Sequence, residues 1–153
     1  MVSTLDSYDL KLLAAIQQDA RTPQNELGET VNLAVNRRLK RLGEEGVIER
    51  YTAAISPDAL GYGLTIIALV EVESEQMDQM DATRRTFTAC PHVQQCYYVA
   101  GEWDFVLVFV IQHMEQYTGL TRELFFVNTN VKRFKTLVAM SRDKVSLALP
   151  IEG

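Results

Sequence analysis

A two-part α+β fold is what the hydrophobic texture of this chain predicts: a winged helix-turn-helix segment followed by a ferredoxin-like βαββαβ sandwich. Three observations carry it. Up to Gly46, apolar residues recur at helical spacing between capping signals. From Leu64 onward, four apolar runs of strand length alternate with two helical stretches in the order β-α-β-β-α-β. Between the two textures lies a break at Ser56-Pro57. The expected division is 1–54 for the helix-turn-helix domain, 55–63 for a linker and 64–153 for the second domain.

In the first part, Asp6-Ser7-Tyr8-Asp9 supplies a cap and an acidic first turn, which satisfy free N–H groups and oppose the helix dipole. Leu10, Leu13 and Ile16 continue that helix. Thr22-Pro23 is a cap followed by proline at a first helical position, where the missing N–H costs nothing. A short second helix follows, with Leu27 and Val31 on one face. A third runs from about Ala34, with Val35, Leu39 and Leu42 as its expected buried stripe and Gly46 as its stop. The stretch 47–55 reads as extended, a wing or linker strand.

In the second part, Leu64–Val72 is a long apolar strand. Residues 74–87 read as a helix with Met77, Met80 and Phe87 inward. Strands at 93–99 and Phe105–Ile111 flank Ala100-Gly101-Glu102-Trp103-Asp104. A second helix at 114–126 turns Met114, Tyr117 and Leu124 inward. A fourth strand covers 131–140, and 145–149 is read as a short last strand. Two helices can cover only one face of such a sheet, so the apolar second face predicts a homo-oligomer built from dimers.

Composition narrows the classes. Hydrophobic residues make up 47% of the 153, enough for a packed core. No apolar run is long enough to span a bilayer, and the first nine residues lack the basic and apolar regions of a signal peptide. No membrane partner is expected. Cys90 and Cys96 read as reduced thiols of a cytoplasmic protein. Cys90, His92 and Cys96 lack a fourth ligand at any common zinc spacing, so no metal is expected. His113 reads as a cap or surface residue. No phosphate-binding, dinucleotide or nucleophile motif is present, so neither a cofactor nor an enzyme activity is expected.

Net charge is −5, which argues against nucleic acid binding over the whole surface. Residues 1–60 hold seven basic and nine acidic side chains, yet four of the seven basics fall in Arg37-Arg38-Leu39-Lys40-Arg41. On a helical wheel Arg37, Lys40 and Arg41 lie opposite Val35, Leu39 and Leu42, with Asn36 and Arg38 on the flanks. A helix in the major groove needs such a face: cations for phosphates, and Arg or Asn for base edges. The same stretch is also what a solvated amphipathic helix looks like. The loop at Gly101 has a similar ambiguity. Its backbone N–H groups can approach a carboxylate, and Glu102 or Asp104 can meet an ammonium, which together suit a zwitterion. A hairpin turn with solvated acids has the same composition.

These pieces, in order, resemble the Lrp/AsnC family of leucine-responsive, or feast/famine, transcriptional regulators. The resemblance is carried by residues 5–13, Asp19-Ala20-Arg21-Thr22, residues 37–42, Glu45-Gly46-Val47-Ile48 and Tyr51-Thr52-Ala53. It continues in Val93, Cys96-Tyr97, residues 99–104, Thr136, Lys144 and Leu149-Pro150. It implies double-stranded DNA as one partner, read by Asn36, Arg37, Arg38, Lys40 and Arg41. It implies an amino-acid effector at Gly101, Glu102 and Asp104, with Thr136 as a hydroxyl contact, and dimers assembling to octamers or higher. One departure stands out. Asn32-Leu33-Ala34-Val35-Asn36 is about three residues shorter than the family pattern and lacks the serine that would cap the recognition helix, worth roughly 1 kcal/mol. Either part of the turn is absent from this sequence, the preferred reading, or the protein is a small-molecule-binding oligomer with an impaired DNA reader that acts by protein contacts.

Overall fold

The computed structural model describes residues 4–23, 26 and 32–152. The chain forms two compact units, Met1–Ala54 with Val145–Gly153, and Ile55–Lys144. The expected second helix around Leu27 and Val31 lies outside the described residues; Asn32-Leu33-Ala34-Val35-Asn36, expected as a shortened turn with the next helix starting at about Ala34, is already helical from Asn32.

In the first unit, α1 spans Ser7–Gln18. Asp6 caps it: its carboxylate accepts from the Asp9 N–H at 2.8 Å, and the Asp9 carboxylate accepts from the Asp6 N–H at 3.1 Å. This reciprocal box satisfies two N–H groups that a helix start leaves unpaired. Asp9, Leu12 and Ile16 form the buried face. The helix α2 spans Asn32–Glu44, with Val35 and Leu42 buried. It stops where Gly46 takes a φ of 74°, a left-handed conformation suited to glycine, while the Val47 and Ile48 N–H groups donate to the Leu42 carbonyl at 2.9 and 3.0 Å. Residues 49–56 form no helix or strand, so the expected wing carries no ladder.

Residues 145–149 form no strand either. The tail belongs with the first unit, where the Gln17 side-chain amide donates to the Leu149 carbonyl at 2.7 Å and accepts from its N–H at 2.9 Å. One side chain thus satisfies both backbone groups that a neighbouring strand would have paired. The expected division placed 145–153 with the second domain; by contacts within the structure these residues group with the first unit.

The second unit has the expected order: β1 (Leu64–Val72), α3 (Met77–Ala89), β2 (Val93–Tyr98), β3 (Phe105–Ile111), α4 (Met114–Thr121) and β4 (Val131–Val138). The helix α4 runs on into a π-helical turn, Arg122–Phe126. The sheet is antiparallel with strand order β2-β3-β1-β4. This is the ferredoxin-like sandwich, and with the helices of the first unit it makes an α+β chain. Along β1, Ile66, Ala68, Val70 and Val72 are buried while the residues between them are half-buried. Strand alternation therefore puts one apolar set under the helices and another, with Ile67, Leu69, Val106, Val108 and Leu137, on the uncovered face. Phe87 meets Phe105 and Phe125 edge-on, with ring centres 5.4 and 5.8 Å apart.

Met77 and Met114 do not face inward as expected: they are 80% and 44% exposed. Each is the first residue of its helix, and a helical side chain leans back toward the N-terminus, here past the end of the packed face. Met80, Phe87, Tyr117 and Leu124 carry the burial. His113 is the N-cap of α4, its Nδ1 accepting from the Gln116 N–H at 3.2 Å. Among the described residues, no helix is long and apolar enough to cross a membrane.

Candidate DNA-reading helix and effector loop

The five basic-helix candidates divide into two groups. Asp9, on the inner face of α1, is 1% exposed and sits under α2. The Arg38 Nη1 donates to its carboxylate at 2.8 Å, and the Arg41 Nη2 reaches both of its oxygens at 2.8 Å. Arg38 also pairs with Asp6 at 2.6 Å. Burial by itself would raise the Asp9 carboxyl. The hydrogen bonds from Arg41, the Asp6 N–H and Arg38 outweigh it and hold it down at about 2. Both guanidiniums are stabilised in their charged forms by the same contacts.

The position of Arg41 is therefore corrected. It was expected on the solvent side, opposite the apolar stripe, and is turned toward α1. Arg38, expected on a flank, is turned the same way. Leu39, expected in the buried stripe, is only half-buried. The reason is that a buried carboxylate needs paired charge, so the inner face of α2 is Val35, Arg38, Arg41 and Leu42 rather than an apolar stripe alone, with Glu45 just past the helix end paired to Arg41. Asn36, Arg37 and Lys40 stay exposed on the outer face. Lys40 lies 3.8 Å from Glu44 one turn on, a pair too exposed to hold it firmly.

In the second unit, the loop between β2 and β3 closes through the Val99 N–H, which donates to the Asp104 carbonyl at 2.8 Å. Gly101 has a φ of 143°, a region that favours glycine. The Asp104 carboxylate accepts from the Val72 N–H at 2.8 Å, where the β1–β4 register shifts and a strand N–H needs a partner. Asp104 thus has a structural duty as a cap. Glu102 is 70% exposed at its side chain and pairs with the Arg133 Nη2 at 3.2 Å. Arg133, on β4, also binds Glu71 through Nε, and its guanidinium lies 4.5 Å from the centre of the Trp103 ring. Lys132 reaches Glu71 at 3.2 Å, and the two cations hold the Glu71 carboxyl below its usual range.

Within the chain, Thr136 is not brought to this loop, and that expectation is corrected. Thr136 pairs with Ala68 in mid-sheet and bonds the Tyr117 hydroxyl at 2.6 Å, so it faces the helices. Arg133, three residues earlier, is on the other face, because side chains alternate along a strand. Sequence reading missed Glu71 and Arg133. The signal was faint: an acid ending an apolar strand, and a Lys-Arg pair opening another, whose opposition depends on the register.

A capped first helix, a second helix with a basic outer face and a ferredoxin-like sheet make the chain comparable with DNA-binding regulators that carry a ligand-binding domain. Residues 5–49 match the winged helix-turn-helix DNA-binding domain, and residues 65–149 match the Lrp/AsnC ligand binding domain. The chain belongs to the Lrp/AsnC family of DNA-binding transcriptional regulators. It is 40% identical over 151 residues to an uncharacterized HTH-type transcriptional regulator of Sinorhizobium fredii, covering 97% of this chain and 89% of that one. It is 30% identical over 151 residues to the DNA-binding transcriptional activator DecR of Escherichia coli K12, covering 97% and 99%. Among solved structures, a transcriptional regulator from Neisseria meningitidis in complex with L-Met matches with a TM-score of 0.88 and 25% identity, over 96% of this chain and 97% of that one.

Proposed function

We propose that the protein is a sequence-specific regulator whose hold on double-stranded DNA is changed by an amino acid bound at the loop around Gly101. The observation that carries the reading is the overlap, over both domains together, with a regulator solved bound to L-Met. Asn36, Arg37 and Lys40 are the residues that meet DNA, as base reader and phosphate contacts. Arg38 and Arg41 orient the helix through Asp9. The effector acts by shifting the population between arrangements of the subunits. Those subunits pair through the uncovered sheet face, which holds Ile67, Leu69, Val106 and Val108; light scattering that finds only monomer at micromolar concentration would contradict the pairing.

The test is fluorescence anisotropy with the DNA upstream of the protein's own coding sequence, titrated with salt and with each common amino acid. At least one amino acid should change the affinity several-fold. The double variant Arg37→Ala, Lys40→Ala should bind more weakly at every sequence and lower the salt slope by about 2, since each lost phosphate contact removes about 0.9. A folded double variant with the wild-type slope removes these residues from the reader. Wild-type protein that binds no DNA at low salt favours the impaired-reader alternative.

A further inference from the structure

We propose that the start of α4 is a pH-sensitive latch, in which His92 and His113 both hold Gln116 as hydrogen-bond acceptors and release it when they take up protons. The chain has two histidines; they precede different elements, β2 and α4, and both converge on this one residue.

The hydrogen-bond network fixes which way each group points. The Gln116 side-chain oxygen accepts from the Gln112 N–H at 2.9 Å. A backbone N–H can only donate, so this contact sets the orientation of the amide and turns its nitrogen to His92 Nε2, 3.2 Å away. That nitrogen of His92 therefore accepts, and the ring carries its proton on Nδ1. His113 has the opposite tautomer. Its Nδ1 accepts from the Gln116 N–H as the cap of α4, which leaves its proton on Nε2. A protonated imidazole has no acceptor nitrogen, so one proton turns each contact into two donors facing one another. At His113 it also sets a cation against the positive end of a helix dipole.

The charges around the latch come from several elements. Cys90, just past α3, and Glu123, just past α4, line the same groove as His92 and Gln116. Glu115 lies in the first turn of α4 beside His113, and Asp58 opens the short turn that ends at Gly61 near Gln112. The three acids favour a charged imidazole, and the hydrogen bonds to Gln116 oppose it. Tyr117 carries the consequence onward. Its ring packs edge-on against Phe109, and its hydroxyl bonds Thr136 at 2.6 Å, so a loosened first turn releases the side chain that ties α4 to β4. The stabilisation is complete while both imidazoles are neutral and is lost as pH falls through their titration.

The experiment uses the full chain with 15N-labelled histidine. At pH 8 the ring nitrogen shifts should place the His92 proton on Nδ1 and the His113 proton on Nε2. Amide exchange, corrected for the intrinsic rate at each pH, should show the protection of Gln116 and Tyr117 falling about tenfold from pH 8 to pH 5 while β1 and β3 keep theirs. This window lies well above the titration of Asp9 at about 2. The double variant His92→Gln, His113→Asn keeps polar partners that do not titrate, and should hold its protection across the range. In Gln116→Ala the His92 midpoint should move upward, because the donor that resists its charge is gone. Wild-type protection that does not change with pH, or that falls equally in the double variant, overturns the latch. An unmoved His92 midpoint in Gln116→Ala overturns it too, as does the opposite tautomer at either histidine, a reading that needs no variant to fold.

Discussion

Each unit of the molecule contains an arginine–carboxylate cluster, and the two differ in one respect that sets their roles. Around Asp9 the carboxylate is buried and receives guanidinium donors from two arginines of a neighbouring helix. Around Arg133 the cation is shared between Glu71 and an exposed Glu102. The chemistry is the same and the solvent is not. A buried carboxylate that loses its partners cannot recover hydration, so the first cluster fixes one helix against another. An exposed pair exchanges freely with water, ions or a ligand, so the second suits recognition. The two units also differ in what else holds them: aromatic packing dominates the second, whereas in the first the buried ion pairs stand beside Leu12, Ile16, Val35 and Leu42.

The largest expected effect lies in the aromatic core. Phe87→Ala removes a fully buried ring that packs edge-on against two others, and should cost about 4 kcal/mol in urea denaturation of the second unit. Asp9→Ala should cost about 3 kcal/mol of the first unit's stability, because it leaves Arg38 and Arg41 facing a neutral cavity. It should also weaken DNA binding without any change to a DNA-facing charge. A loss below about 1 kcal/mol would show the cluster to be as loose as the one at Arg133, and the comparison would collapse.

Acid should separate the two clusters as well. The Asp9 carboxyl titrates at about 2 in the fold against an ordinary 3.8. A depressed carboxyl contributes stability that is full above its unfolded value and lost as pH falls through its folded one. The first unit should therefore lose about 2 kcal/mol between pH 4 and pH 2 (windows set by these values), and Asp9→Asn should flatten that loss. Circular dichroism melts across this range read it. Asp104→Ala, which frees a buried strand N–H at Val72, should cost about 1–2 kcal/mol and leave amino-acid affinity within twofold. An abolished ligand response in a variant of unchanged stability would return Asp104 to the effector site. The smallest change is expected from Gln17→Ala, at most about 1 kcal/mol, read as faster proteolysis of the tail beyond Val145.

Much of this was legible along the chain. The strands Leu64–Val72 and Phe105–Ile111 were located by apolar runs, the start of α1 by Asp6 and its acidic first turn, the end of α2 by Gly46, and the order of the sandwich by alternating periods. These are local properties: a hydrogen-bonding side chain at a helix end or a period of two acts within a few residues. The inner role of Asp9 was partly legible too, since it shares a helical face with Leu12 and Ile16 and so points where an acid needs a partner. Reading the basic run as one solvent face missed it, because a hydrophobic wheel counts charge as outside.

What the sequence by itself determined is the kind of each element, its order and its apolar face, since those follow from backbone hydrogen bonding and side-chain periodicity. Tertiary structure decided which charges are paired. Arg38 and Arg41 turned inward because a carboxylate of another helix was buried beneath them. Arg133 reached Glu102 because strand register set β4 beside β1, near the loop between β2 and β3. Thr136 faced the helices because of its parity in that same register. Coulombic partners are chosen by distance in space and by the solvent around them, and neither is a property of neighbours along the chain.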